Sequence, residues 1–412
     1  MRRIIVIFIM FVSCINPYHL NLDDADSHLV VEGYVSSRAG DSEIKLSRSG
    51  AFQRTVFDWI ADAELMVIEN EMVEHQFAYQ DNGLYTPVQK DFAAKKESSY
   101  RLRIILDGQE YESDPVSLQG SLAIESMSFR AVTTYQGGVM QEEPGLELLL
   151  TSNIDEDASR YYIYSFEETW KVVAGYSLNK IITPIFIYDE NQELINIDFE
   201  TVFEENVKDC WPSNIAEGIT TSTTEGLSQN QLINVPVFRV NLESTRLLYR
   251  YSVLVNQYAI SREAHHFFKM LKEFSENSGF LYNIQPGYVE GNIHNRNTPE
   301  EKVIGLFYAA SHSSARIFIS HSELPAEVRS VVRNHYPTCE YIEQRYEYIP
   351  DDELPVVANP EELLYLRDTL LRAKNMAIRD FWYGSYLWVQ LADKPCVDCR
   401  VYGSNIEPEW WK

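Results

Sequence analysis

The chain has 412 residues, of which 45% are hydrophobic and 13% aromatic, and this apolar share excludes a chain that is disordered as a whole. Its 61 acidic and 35 basic residues give a formal net charge of −26, which excludes an electrostatic nucleic-acid binder because such a surface repels phosphates. No polybasic patch is present to hold an anionic bilayer, so we expect any membrane attachment to have another origin.

The N-terminus has the pattern of an export signal that ends in a lipidated cysteine. Two arginines precede an apolar run over residues 4–12, and Ser13 places a small residue directly before Cys14. The run has about half of the ~20 residues that a transmembrane helix needs, which favours a cleaved signal peptide over residues 1–13. We predict that Cys14 is acylated and anchors the protein to a membrane surface. The alternative is an ordinary cleaved signal in which Cys14 stays unmodified.

The next two segments are predicted to be a tether and a first β domain. Residues 14–27 are polar and acidic, as in a short lipidated tether. Residues 28–118 contain about seven short runs with period-two alternation, separated by turn signals such as Asn82-Gly83 and Asp107-Gly108. This spacing predicts an immunoglobulin-like or fibronectin-like sandwich.

Residues 119–412 are predicted to form a larger β-rich domain with one or two packed helices. Ser261 is a good N-cap for a helix near residues 261–277, and Pro360 starts an acidic first turn for a helix near residues 360–376. A short helix near residues 325–334 is a further expectation. The hydrophobic pattern weakens over residues 183–232, which predicts long loops on a strand framework.

Four cysteines remain after Cys14, and an even number in an exported chain predicts two disulfides. Sequence alone leaves all three pairings open. A closed zinc site that includes His335 and free or redox-active thiols are the alternatives. The four disulfide candidates are Cys210, Cys339, Cys396 and Cys399.

A late aromatic cluster supplies the candidate interface or ligand residues, Trp382, Tyr383 and Trp388. Such side chains can anchor a protein interface, stack on a sugar or simply fill a core. The sequence has no nucleophile elbow, no His-Glu-x-x-His motif and no phosphate-binding glycine loop. We therefore expect a non-enzymatic protein with no catalytic residues, no metal site and no cofactor.

Several stretches resemble the domain of unknown function 4249 (DUF4249) lipoproteins of Bacteroidota. They include Leu29-Val30-Val31-Glu32-Gly33, Glu167-Glu168-Thr169-Trp170, Leu254-Val255-Asn256-Gln257-Tyr258, Gly291-Asn292-Ile293-His294-Asn295 and Cys396-Val397-Asp398-Cys399-Arg400. The resemblance implies a lipoprotein of the outer membrane, and the acidic tether suggests that it faces the cell exterior. It further implies an accessory subunit of an outer-membrane β-barrel, such as a TonB-dependent SusC-like transporter. A structural subunit of an assembly or secretion machine, a glycan-binding module and a hydrolase are the alternatives.

Overall fold

The computed structural model describes residues 27–49, 58–135, 142–176, 180–203, 207–240, 242, 245–277, 291–333, 338–349, 356–357, 359–372, 376–383 and 386–412. The protein is mainly β with several sheets, as predicted. Cys14 and nearly all of the predicted tether lie outside the described residues. No helix in the described part of the chain is long and apolar enough to cross a membrane.

The strands follow one another in three groups. Those of the first group are β1 Leu29–Ser36, β2 Glu43–Arg48, β3 Asp58–Trp59, β4 Glu64–Glu69, β5 Val73–Tyr79, β6 Leu84–Pro87, β7 Ser99–Leu106, β8 Gln109–Ser113 and β9 Val116–Ser117. Those of the second are β10 Ile124–Tyr135, β11 Glu142–Ser152, β12 Tyr161–Trp170, β13 Val172–Val173, β14 Lys180–Tyr188, β15 Leu194–Phe203, β16 Asp209–Cys210, β17 Ser213–Ile215, β18 Thr220–Thr223, β19 Val235–Val240 and β20 Arg250–Ala259.

The third group contains β21 Ile293–Asn295, β22 Ile304–Ser320, β23 Tyr341–Tyr346, β24 Tyr348–Ile349, β25 Val356–Val357, β26 Met376–Tyr383 and β27 Leu387–Asp393. The helices are α1 Arg262–Asn277, α2 Ala326–Arg333, α3 Pro360–Arg372 and α4 Lys394–Val397. The helix predicted near residues 261–277 is confirmed, and Ser261 Oγ accepts a hydrogen bond from the backbone N–H of Ala264 as an N-cap should.

The chain divides into two compact units, and the first contains the described residues up to Ser117 together with a later stretch that ends at Ala309. Its strands lie in the antiparallel order β1-β2-β6-β5-β4-β7-β8-β21. The later stretch was assigned to the C-terminal domain from sequence, and this part of the predicted boundary is wrong. β21 pairs with β8, with Ile293 opposite Ser113, and a three-residue strand so far along the chain carries no signal of that partner.

The hairpin turns of this unit have the predicted chemistry. Asn82 and Gly83, between β5 and β6, have φ angles of 45° and 74°. Asp107 and Gly108, between β7 and β8, have φ angles of 52° and 74°. Positive φ at both central residues matches the right-handed twist of the flanking strands, so these short turns set the strand register.

A buried carboxylate, Glu69, joins three elements of the first unit. Its carboxylate accepts a hydrogen bond from Ser98 Oγ at 2.5 Å and lies 3.0 Å from His75 Nε2. The Ser98 hydroxyl bond, opposed by burial and supported by His75, holds the pKa of Glu69 below its ordinary value of 4.5. The ionised form of Glu69 therefore stabilises the folded unit.

Replacing Glu69 with glutamine is expected to lower the free energy of unfolding near neutral pH by about 1 to 3 kcal/mol. The folded pKa is depressed, so this stability is present above the unfolded pKa and is lost as pH falls through the folded pKa. The difference between wild type and Glu69→Gln should shrink on acidification in denaturant titrations. Glu71→Gln, at an exposed position, is the control, and equal stability of all three proteins at neutral pH would refute the role of Glu69.

The second unit is built around a core between two sheets. In the first sheet, β12 pairs with β20, and β20 pairs with the second part of β22. The short strands β17 and β18 pair with different parts of β12. A separate sheet has the order β10-β11-β19. Alternate residues of these strands point inward, and α2 adds two side chains to the same core. The core includes Leu146, Leu148, Leu150, Tyr162, Tyr164, Phe166, Tyr251, Val253, Val255, Val328 and Val332.

A buried ion pair lies beside this core. Arg246 donates to Glu168 from Nε at 3.0 Å and from Nη2 at 3.4 Å. Glu168 also accepts from the Tyr251 hydroxyl at 2.8 Å and from Asn214 Nδ2 at 3.0 Å. Burial, and then the charge of Glu168, raises the pKa of Tyr251 well above its usual range, so Tyr251 remains a neutral donor. The carboxylate is thus fully hydrogen-bonded within the protein.

A third sheet of the second unit has the order β15-β14-β26-β27-β23, and α3 packs on one of its faces. Asn359 Oδ1 caps α3 by accepting from the backbone N–H of Glu361. The helix predicted near residues 360–376 is shorter than expected, because Met376 already pairs with Asp393 in β26. The long loops predicted over residues 183–232 are also wrong in part, since the β14–β15 hairpin occupies the beginning of that range.

Candidate functional site

Two disulfides lie at one end of the five-stranded sheet. The sulfur atoms of Cys210 and Cys399 are 2.00 Å apart, and those of Cys339 and Cys396 are 1.98 Å apart. This pairing selects one of the three that the sequence leaves open, and it leaves no thiolate for the zinc alternative. The described residues contain no group of three or more His, Cys, Asp or Glu side chains placed to hold a metal ion.

The Cys339–Cys396 bond fixes the edge strand β23. Cys339 lies two residues before β23, and Cys396 lies in α4, directly after β27, the strand with which β23 pairs. A Cβ atom on Gly175 would lie 2.3 Å from Cys339 Sγ, so the close approach of this backbone requires glycine. Next to it, Tyr176 donates its hydroxyl to the carbonyl oxygen of Cys339 at 2.8 Å. The chain just before the edge strand is therefore held by one disulfide and one hydrogen bond.

The sheet positions the predicted aromatics on two opposite faces, because successive side chains of a strand alternate. Tyr383 packs with Phe381 against the core under α3. Trp382 and Trp388 lie directly opposite each other in the β26–β27 register and point away from that core. Of the three predicted site residues, the structure therefore brings the two tryptophans together and separates Tyr383 from them.

The two tryptophans stack. Their ring centroids are 5.8 Å apart with an interplanar angle of 7°, and Tyr386 meets Trp388 edge-on at 6.4 Å. Trp382 keeps 40% of its surface exposed. A stacked pair is stiff and presents one large apolar ring to solvent, which suits it to bind another apolar or planar surface at a small cost in conformational entropy.

Two arginines complete this surface. Arg345 on β23 lies opposite Trp388 and holds its guanidinium 5.2 Å from the ring centroid of Tyr386. Arg379 lies between Tyr176 at 4.6 Å and Tyr341 at 4.7 Å. We call the surface formed by Tyr341, Arg345, Arg379, Trp382, Tyr386 and Trp388 the aromatic face.

A polar row crosses the middle of the aromatic face. Gln390 on β27 donates from Nε2 to Glu343 Oε2 at 2.7 Å and accepts a hydrogen bond from Arg379. The guanidinium of Arg379 is therefore fixed both by this amide and by the two tyrosine rings on either side. The aromatic face is thus preorganised before any partner arrives, which reduces the entropic cost of binding.

The family of the chain follows from its sequence. The model of the family described as domain of unknown function (DUF4249) matches residues 15–316, which is well over half of the chain. The protein belongs to the DUF4249 family. No curated protein is detectably similar to it in sequence.

The DUF4249 match includes strands β10, β11, β12, β19 and β20 of the second unit and ends within β22. All six residues of the aromatic face lie beyond residue 316, so the family assignment does not describe this surface. The match begins directly after Cys14, the predicted lipidation site.

Strand β23 has a local sequence signal, although none of its residues is among the predicted site residues. Tyr341, Glu343 and Arg345 alternate with period two, which is the pattern of a strand with one solvated face. Sequence cannot say which arginine is within reach of which ring, because Arg345, Arg379 and Tyr176 come from three distant segments. These contacts between arginines and aromatic rings can therefore be identified only from the strand register.

Proposed function

We propose that this DUF4249 protein is a non-enzymatic, lipid-anchored subunit of the outer membrane, facing the cell exterior, which docks its aromatic face on an outer-membrane β-barrel protein. The class of partner we propose is a TonB-dependent, SusC-like transporter. A structural subunit of an assembly or secretion machine would use the same surface, and the identity of the barrel distinguishes the two roles.

One observation carries the proposal: the aromatic face presents a stacked, partly exposed tryptophan pair, in a part of the second unit that is rich in exposed apolar side chains. Among the described residues, 24 large hydrophobic side chains are exposed, and eleven of them belong to this part of the second unit. Tyr341 and Trp382 of these eleven belong to the aromatic face, and exposed aromatic surface of this kind favours an interaction role. The eleven are Ile185, Tyr188, Ile195, Val202, Phe203, Tyr341, Ile342, Leu364, Tyr365, Leu371 and Trp382.

The composition of the aromatic face supports a protein partner in particular. Tryptophan, tyrosine and arginine are the residues that contribute most to the binding energy of protein interfaces. Arg345 is exposed and Arg379 half-buried, and Glu343 in the polar row offsets one of the two charges, so the face keeps a net positive charge in a chain whose formal net charge is −26. This local contrast favours a partner surface with acidic groups around an apolar centre.

The predicted anchor on Cys14 supports a partner within the membrane. Acyl chains on Cys14 would confine the protein to the bilayer surface, which raises its effective concentration toward other membrane proteins. An interface of moderate intrinsic affinity then suffices for a stable complex.

A glycan ligand is the second candidate, because an exposed indole ring also stacks on the apolar face of a sugar. The stacked pair of Trp382 and Trp388 is the observation that favours it. Binding to glycan arrays that depends on Trp382, together with no partner protein, would support this role.

Trp382→Ala is expected to release the partner, because truncating a central aromatic anchor costs at least about 2 kcal/mol, or roughly 30-fold in affinity. The tagged protein would be purified from native outer membranes in mild detergent, and the copurifying proteins quantified by mass spectrometry. Trp410→Ala is the matched control, since Trp410 is 41% exposed and belongs to no strand of the five-stranded sheet.

The expected result is a stoichiometric barrel protein with wild type and Trp410→Ala, and little or none with Trp382→Ala. Equal recovery with both variants would show that the aromatic face is not the interface. Recovery of no barrel protein after chemical crosslinking would refute the accessory-subunit role itself.

A further inference from the structure

A cleft lies in the five-stranded sheet beside the point at which β14 and β26 pair. In the described residues these two strands pair only at Ile182 and Ile378, whereas β26 pairs with β27 along its length. The cleft has a volume of about 430 Å³. That volume lies in the range of pockets that bind small molecules.

The walls of the cleft are mainly hydrocarbon. They come from β14 on one side, β26 and β27 on the other, and from the last turns of α3 and the segment around α4. Water finds few hydrogen-bond partners against such walls. An apolar ligand that displaces this water therefore binds with a favourable free energy. The apolar lining residues are Ile181, Ile182, Pro184, Leu370, Met376, Ala377, Ile378, Leu391, Val397 and Val401.

Two charged residues, Lys394 and Asp398, also line the cleft. The Asp398 carboxylate is already bound by Arg400, which donates from Nη2 at 2.8 Å and from Nε at 3.0 Å. Lys394 Nζ has no carboxylate within ion-pair distance in the described part of the chain. The cleft therefore offers one uncompensated positive charge beside an apolar wall, in a protein that is strongly acidic elsewhere.

We propose that this cleft binds a hydrocarbon chain that ends in an anion, with the chain along the apolar wall that includes Ile182, Met376 and Ile378 and the anion at Lys394 Nζ. The shared chemistry is that of a free fatty acid and of a monoacyl phosphate lipid. A buried chain supplies affinity through its apolar area, and the ammonium fixes the orientation of the ligand through a charge-assisted contact. The proposal does not depend on the docking role of the aromatic face.

The test is calorimetric titration of the full-length protein, kept soluble by an amphipathic polymer, with the polymer alone as the blank. Hexanoate, octanoate, decanoate and dodecanoate are the probes. Affinity is expected to rise about fourfold per added methylene until the cleft is filled. Absence of saturable binding above the blank, or affinity independent of chain length, would overturn the proposal.

Lys394→Met is expected to weaken decanoate binding roughly tenfold, whereas Lys394→Arg should retain it. Lys208→Met is the control, because Lys208 belongs to the same unit and does not line the cleft. Equal affinity of Lys394→Met and wild type would contradict the role of the ammonium.

Ala377→Trp should fill the cleft and abolish binding, and an unchanged thermal unfolding midpoint would show that the variant still folds. Retained binding by a folded Ala377→Trp would place the ligand elsewhere and overturn the proposal. Decyl phosphate distinguishes the two sources of the anion: tighter binding than decanoate identifies a phosphate lipid, and weaker binding identifies a free fatty acid.

Discussion

Arg246→Met is expected to lower the free energy of unfolding of the second unit by about 3 to 5 kcal/mol. The side chain of Glu168 is only 4% exposed, and Arg246 is the one cation that pairs with it in the described residues. Without Arg246, Glu168 keeps its bonds to Tyr251 and Asn214 but remains a buried charge with no counterion. Removing one partner of a buried pair costs more than the pair contributes, because the other charge stays desolvated.

Denaturant titration of wild type and variant, followed by tryptophan fluorescence, measures this loss. Arg262→Met is the control, because Arg262 and Glu225 form an ion pair that is exposed on both sides and should contribute less than about 1 kcal/mol. The double variant Glu168→Gln with Arg246→Met should recover part of the loss, since it removes the unpaired charge. Equal losses for the two arginine variants would show that the buried pair is not a stabilising feature.

Replacing Cys210 and Cys399 with alanine is expected to cost about 3 to 5 kcal/mol. The bond joins residues 189 positions apart, whereas Cys339 and Cys396 are 57 apart. A crosslink that closes a longer loop removes more conformational entropy from the unfolded chain, so losing the first bond should cost roughly 1 kcal/mol more than losing the second.

Removal of the Cys339–Cys396 bond should cost less stability than removal of Cys210–Cys399, but it should weaken partner binding more. The Cys339–Cys396 bond fixes the chain just before β23, and β23 carries Tyr341 and Arg345 of the aromatic face. We expect its removal to weaken partner binding even in a protein that remains folded. Unfolding titrations of the two double variants, combined with copurification of the partner, measure both effects. A greater loss of stability from removal of the 57-residue crosslink would contradict the entropic account.

The parts of the fold that local chemistry determines were predictable. Ser261 marked the start of α1, and Asp107-Gly108 marked a hairpin, because caps and turns depend on a few adjacent residues. The β14–β15 hairpin was missed because Pro184 interrupts its first strand, although its second strand alternates with period two as a half-buried strand does. The return of β21 to the first unit was missed because pairing between distant segments leaves no local signal.

From the sequence, the candidate site could be predicted only as a set of aromatic residues, without their contacts. The sequence indicated an aromatic cluster at Trp382, Tyr383 and Trp388, and alternation placed neighbours on opposite faces. Which face meets the core depends on how α3 packs, and this assigns Tyr383 to the interior. The contributions of Tyr341, Arg345 and Arg379 depend on strand register and on a disulfide pairing that the sequence leaves open.

Photocrosslinking in intact cells tests whether the aromatic face docks on a barrel protein. A photoreactive phenylalanine analogue would be placed at Tyr341, which is 47% exposed, and as a control at Tyr79, which is 41% exposed and lies in the first unit. We expect one strong adduct with an outer-membrane β-barrel protein from position 341 and none from position 79. Adducts of equal yield from both positions, or no adduct with a barrel from position 341, would contradict it.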